Sequence, residues 1–177
     1  MNIQKIRPEL KPEILRFDSG NSHLDRFLQS DLAFDDSIGK TYVLLSDSGD
    51  CVIGYYNIGM GSVEQIDGDL RRKIGGAVHI NCIAVDKRFQ DQVVSIDTEV
   101  GKIHISDLML HDCMKRIMAI RKNCIGVAFI TLNSTKEGEW LYKRNDFDYL
   151  EDDMDFAKED EELECRQMYL ALDLVDM

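Results

Sequence analysis

One stretch constrains this chain more than any other, residues 78–110. Val78 to Val85 (Val-His-Ile-Asn-Cys-Ile-Ala-Val) runs or alternates apolar and stops at Asp86, a pattern that suits a central strand. Asp86 to Gln90 is a charged turn. From Ile105 onward the apolar residues Leu108, Met109, Cys113, Ile117 and Ile120 fall at helical spacing. The unit is therefore strand, turn, helix. The first N–H groups of a helix have no partner within it, so such a junction is a natural anion site. The turn reads as the seat for the phosphates of a nucleotide-like cofactor.

The rest of the chain supplies strands and helices around that unit. Ile3 to Ile6 reads as a short edge strand, and Pro8 and Pro12 interrupt the segment after it. Ser22-His23-Leu24-Asp25 resembles a capping box, and Leu24, Phe27, Leu28 and Leu32 form a helical stripe to about Phe34. Lys40–Ser46 and Cys51–Met60 read as a hairpin across the turn Asp47-Ser48-Gly49-Asp50. Gly61 to Gly76 is polar, with Asp67-Gly68 and Gly75-Gly76 marking turns and room for a short helix around Leu70. Ile125–Leu132 is a buried strand. Ser134-Thr135-Lys136-Glu137 is a capping box that opens a helix to about Asn145. Phe147–Leu150 and Gln167–Leu174 read as two last strands joined by an acidic loop.

Composition narrows the class. The chain has 177 residues, which points to one domain over 1–177, and its 44% hydrophobic and 31% charged content is that of a soluble protein. No apolar run reaches the roughly 20 residues of a membrane span, and residues 1–15 lack a signal-peptide core. Cysteines 51, 82, 113, 124 and 165 are widely spaced and odd in number, so they read as reduced core residues of a cytoplasmic protein. His104 and His111 share a helix face but no third ligand is evident, so no metal is expected. The net charge is −12, and Glu151–Glu164 alone carries nine acids and one lysine. That field disfavours nucleic acid, whose binding rests on neutralising phosphates.

Three sequence runs carry a resemblance. Ile83-Ala84-Val85-Asp86-Lys87-Arg88-Phe89-Gln90 resembles the strand before the acetyl-CoA pyrophosphate loop of GNAT N-acetyltransferases. Trp140-Leu141-Tyr142-Lys143-Arg144-Asn145-Asp146-Phe147 is similar to a second family run, with Tyr142 and Phe147 five apart and Asp146 where the family has glycine. Phe17 to Leu28, with Val52-Ile53-Gly54-Tyr55-Tyr56, is similar to the branch that includes tRNA-acetylating toxins. The resemblance implies an α/β (α+β) fold, a single GNAT-like domain with a mixed, largely antiparallel sheet flanked by helices. It implies acetyl-CoA as co-substrate and transfer of the acetyl group to a primary amine of a small molecule or peptide. The rivals are a non-catalytic GNAT-like binding domain and a toxin acting on aminoacyl-tRNA, which makes tRNA the one nucleic acid kept as a partner. A homodimer is left open.

The resemblance also implies roles. Ile83 and Val85 would offer main chain to the pantetheine arm, with an N–H facing the developing oxyanion. Tyr142 would protonate the leaving thiolate, a phenol of pKa near ~10 serving a thiol near ~8.5. Asn133 would bond a cofactor amide. Two registers are possible for the phosphate loop. It either follows Gln90 directly, over Asp91–Ser95, or follows an insertion, Asp91–Val100, and occupies Gly101-Lys102-Ile103-His104-Ile105-Ser106. The first needs a helix from about 95 to 121 interrupted by Gly101; the second gives a helix of ordinary length and is preferred. Gly101, Lys102 and Ser106 then supply N–H groups, charge and hydroxyl, with Lys87 and Arg88 in support.

Overall fold

The central strand begins well before its apolar pattern. In the computed structural model, which describes residues 2–97, 101–156 and 165–172, it runs from Leu70 to Val85. The helical elements are α1 (Lys11–Ile14), α2 (Ser22–Gln29), α3 (Ile105–Asn123) and α4 (Glu139–Lys143). The strands are β1 (Asn2–Lys5), β2 (Lys40–Leu45), β3 (Val52–Asp67), β4 (Leu70–Val85), β5 (Val93–Asp97), β6 (Gly101–His104), β7 (Phe129–Ser134), β8 (Asp148–Tyr149), β9 (Met154–Asp155) and β10 (Arg166–Ala171).

Hydrogen-bonded neighbours follow the path β1-β2-β3-β4-β7-β10-β8, with β9 on β3 and β5–β6 as a separate pair. The β4–β7 ladder is parallel, whereas β1–β2, β2–β3, β3–β9, β7–β10 and β8–β10 are antiparallel. The fold is the expected α+β one, a mixed, largely antiparallel sheet flanked by helices. No helix among the described residues is long and apolar enough to cross a membrane. The chain forms two compact units, Met1–Ile58 with Cys82–Arg116, and Gly59–Asn81 with Ile117–Met177.

In the first unit the two-residue period of β3 explains the packing. Tyr55 is fully buried on one face, its ring edge-on to Phe17 at 5.5 Å and stacked on Phe27 at 6.2 Å, its hydroxyl donating to Leu24 O at 2.7 Å. Each aromatic contact of this kind adds about 0.5–1.5 kcal/mol beyond burial. Gly54 and Tyr56 point to the opposite face, where Tyr56 donates to Asp112 of α3. A Cβ on Gly54 would stand 2.5 Å from Met109 Sδ and 2.8 Å from Ala84 O, so only glycine lets α3 settle there. The cap of α2 is Asn21 rather than Ser22: its Oδ1 accepts from His23 N at 3.0 Å and Leu24 N at 3.4 Å. Asp25 accepts instead from the N–H and hydroxyl of Ser19, at 2.8 and 2.7 Å. Gly20, at φ +83°, supplies the reversal that brings Ser19 back over the helix.

In the second unit β3 and β4 are continuous from Gly59 to Asp67 and from Leu70 to Asn81, turning at Gly68 (φ +58°). The short helix near Leu70 is not formed. Gly75 and Gly76 lie inside β4 and mark close approach rather than a turn: a Cβ on Gly75 would meet the Phe129 ring at 2.7 Å. Strand β7 starts at Phe129, four residues later than its apolar pattern, because Cys124 and Ile125 still donate to Ile120 O at the end of α3. Ser134 ends β7 and caps nothing; Thr135 Oγ1 accepts from Gly138 N at 3.3 Å, and α4 begins only at Glu139. Most of the acidic run lies outside the described residues.

Candidate active site

The first unit carries the end of β4. Asp86 N–H donates to Ile53 O on β3 at 2.8 Å. Main-chain groups alternate sides along a strand, so Ala84 also faces β3 while Ile83 and Val85 turn their N–H and C=O away from it. In the second unit the β4–β7 ladder runs from Ala77↔Phe129 to Ile80↔Leu132 and ends three residues before Ile83. The outward edge at Ile83 and Val85 can take an extended ligand as an added strand. That suits the amides of a pantetheine arm.

Asp86 closes the strand. Its carboxylate is fully buried and accepts from Arg88 Nε and Nη2 (both 2.8 Å), Arg88 N (3.0 Å) and Asp18 N (3.2 Å). Burial pushes its pKa up, but the Arg88 and main-chain hydrogen bonds outweigh that and hold it below the usual carboxylate range. Arg88, expected on a cofactor phosphate, has its guanidinium fork on Asp86, and Nη2 also reaches Cys51 Sγ at 3.5 Å. Lys87 pairs with Asp18, and the hydrogen bond between them lowers the Asp18 pKa and raises that of Lys87. Gln90 Nε2 donates to Ser19 O at 2.8 Å and Val85 O at 3.0 Å, tying the turn to the loop before α2. Gln90 belongs to the run that carries the resemblance, but its neighbours in sequence do not disclose this role.

The turn then leads into a strand pair rather than a phosphate loop. The expected insertion contains β5, and Gly101-Lys102-Ile103-His104 is β6, paired as Val93↔His104, Ser95↔Ile103, Ile96↔Lys102 and Asp97↔Gly101. Gly101 holds φ +87°. The two segments carry β-branched residues, Val93, Val94 and Ile96 in one and Ile103 in the other, and cross-strand pairing overrides the loop reading. Helix α3 does begin at Ile105, as the preferred register requires, and Ser106 is its second residue. Asp107, buried in the first turn of α3, reaches back to accept from His104 N at 2.9 Å, and Ile105 N donates to Gln92 O at 3.3 Å. The carboxylate three residues into the helix was the sequence signal for this cap.

The second unit carries Tyr142 and Asn133. Tyr142 is buried on α4, with its ring edge-on to Phe147 at 5.7 Å. Its carbonyl accepts from Asn145 N (2.9 Å) and Phe147 N (3.2 Å), and Asp146 between them adopts φ +65°. That left-handed residue is what lets Phe147 return to the tyrosine. Asn133 stands within β7, opposite Gln167 of β10, and not just past the strand. Trp140, at the start of the same run, is 73% exposed. Ile83, Val85, Arg88, Gly101, Lys102 and Ser106 thus fall in the first unit, and Asn133 and Tyr142 in the second.

No protein-family model matches the sequence, and no curated protein matches it. Solved structures do match in fold. AtaTR bound with AcCoA has a TM-score of 0.71 at 17% identity, over 96% of this chain and 92% of that one. AtaT complexed with acetyl-methionyl-tRNAfMet has a TM-score of 0.69 at 17% identity, over 96% and 94%. A tyrosine-to-phenylalanine mutant of KacT has a TM-score of 0.69 at 17% identity, over 96% and 94%. The chain has the GNAT-like fold that the sequence resemblance implies, in the variety these toxins share.

Proposed function

We propose that this chain, acting as one domain, is an acetyl-CoA-dependent N-acetyltransferase of the toxin type, with the amine of an aminoacyl-tRNA as acceptor. The observation that carries the reading is the outward main-chain edge of Ile83 and Val85, at the end of a strand that closes on a turn and is followed by the β5–β6 pair and then α3. Its support is the fold shared with AtaT, which has been solved with acetyl-methionyl-tRNAfMet. The amine attacks the thioester carbonyl, a C–N bond forms, and the C–S bond breaks. An N–H of the strand edge faces the oxyanion. Tyr142 gives its hydroxyl proton to the departing thiolate, and the proton of the attacking amine leaves to water. Asn133 bonds an amide of the donor.

The net charge of −12 favours a second acceptor, a cationic small amine or a basic peptide. The two separate in one assay. The protein is incubated with acetyl-CoA and either bulk aminoacyl-tRNA or a panel of polyamines and basic peptides, and acetylated products are read by mass spectrometry. Acetylated aminoacyl-tRNA is the expected result. Product from the polyamine or peptide panel alone moves the acceptor to that class. Calorimetry that detects no binding of acetyl-CoA at millimolar concentration removes the enzyme reading in favour of a non-catalytic domain.

A further inference from the structure

Acetyl-CoA consists of an acetylated pantetheine arm, a diphosphate and a phosphorylated adenosine. The edge at Ile83 and Val85 suits the first part, but the groups nearest in sequence to the expected diphosphate seat are already committed. An amide NH2 has two N–H donors, and Gln90 gives both of them, to Ser19 O and Val85 O. Arg88 is held on Asp86 and Lys87 on Asp18. At the start of α3, His104 N is taken by Asp107 and Ile105 N by Gln92 O. Asp107 is 6% exposed and lies in the first turn of α3, at the positive end of the helix, the position a phosphate would take. Glycines that would let main chain approach a phosphate are replaced by the paired strands β5 and β6. Lys102 is exposed on β6, but a single ammonium does not replace a cradle of N–H donors.

We infer that this chain recognises its acyl donor through the pantetheine arm and not through the diphosphate, with Asp107 as the residue that excludes the phosphates from the start of α3. Nucleotide-free acyl thioesters, S-acetylpantetheine or an acylated pantetheine on a carrier, then serve as donors comparable to acetyl-CoA. This donor preference rests on the acetyl-transfer reading proposed for the same site.

The test uses the full chain. Calorimetry compares acetyl-CoA with S-acetylpantetheine, adenosine diphosphate is offered as a competitor, and transfer to aminoacyl-tRNA is followed with both donors. The expected dissociation constants lie within about tenfold of each other, because few charge-assisted hydrogen bonds to phosphate are made. No competition by adenosine diphosphate is expected at millimolar concentration. Asp107→Asn keeps an oxygen to accept from His104 N–H and removes the charge. It should tighten acetyl-CoA several-fold and leave S-acetylpantetheine unchanged. Acetyl-CoA binding about 100-fold or more tighter than S-acetylpantetheine, with adenosine diphosphate competing, overturns the inference and leaves the acetyltransferase reading standing. Binding of neither donor overturns both. The donor comparison on the unaltered protein decides the question even if the Asp107 variant fails to fold.

Discussion

Arg88 clasps the buried carboxylate of Asp86 two residues before it, Nε on Oδ1 and Nη2 on Oδ2, each at 2.8 Å. The pair, with Asp18 N and Arg88 N on the same carboxylate, fixes where β4 ends and the turn begins. Its pH dependence comes from the depressed Asp86 pKa. A carboxylate whose folded pKa is lowered stabilises above its unfolded value, near ~3.9, and loses that contribution as pH falls through the lower folded value. Asp86→Asn is therefore expected to be about 1–3 kcal/mol less stable at neutral pH, since it leaves Arg88 without its charged partner. Below about pH 4 its stability should fall less steeply than that of the unaltered chain. Urea melts across pH 2 to 7 measure both; parallel curves for the two proteins would deny Asp86 this role.

Tyr142 and Phe147 pack edge to ring at 5.7 Å, so Tyr142→Phe keeps the contact and removes only the hydroxyl. The turnover number should fall about 100-fold or more with donor affinity unchanged, the signature of a lost general acid. Stopped-flow turnover with acetyl-CoA, beside calorimetry, separates this from a packing role, in which the turnover number stays as it was.

Asp146 is the one non-glycine residue with positive φ among the described residues, at +65°. Aspartate tolerates that conformation at a modest cost, glycine at none, and a β-branched residue at a larger one. Asp146→Gly should be neutral or gain up to about 1 kcal/mol, and Asp146→Val should lose about 1–2 kcal/mol. Thermal melts of the two variants test the order; a valine variant as stable as the parent would mean the turn relaxes to another conformation.

Gly54 lies where β3 and Met109 of α3 meet, with Met109 Sδ 2.5 Å from an added Cβ and Ala84 O at 2.8 Å. Main chain on one side cannot yield as a side chain can. Gly54→Ala is expected to cost about 1–3 kcal/mol. Pairing it with Met109→Ala should recover part of that loss if the methionine is the obstacle, as a double-mutant cycle would show.

A chain of net charge −12 is expected to make few contacts to tRNA phosphates. Its Michaelis constant for charged tRNA should then rise only shallowly with salt, since each phosphate contact on a single strand adds about 0.7 to the logarithmic slope. A steep slope, equivalent to five or more contacts, would require a basic surface that the net charge does not suggest.

Local chemistry determined much of this protein. The strand over Val78–Val85, the turn at Asp86 and the helix from Ile105 are all legible, because apolar period and charge interruption are read directly from neighbouring residues. Tyr142 with Phe147 five residues on was legible only through the family resemblance, which also marked Asp146 as standing where the family has glycine. The tertiary structure decided what spacing cannot encode. Gly75-Gly76 reads locally as a turn, yet becomes strand because Phe129 needs the room of a missing Cβ. Gly101–His104 reads as a loop for phosphate, yet pairs with Val93–Asp97, because a ladder forms between segments whose affinity is for each other. Arg88 and Lys87 read as groups available to an anion. Each is instead bound to a partner that sequence spacing does not specify, Arg88 to Asp86 two residues away and Lys87 to Asp18 about 70 residues earlier. Composition and period thus set the elements, while side-chain partnership, which depends on where distant residues arrive, decided which polar groups were left to meet a ligand.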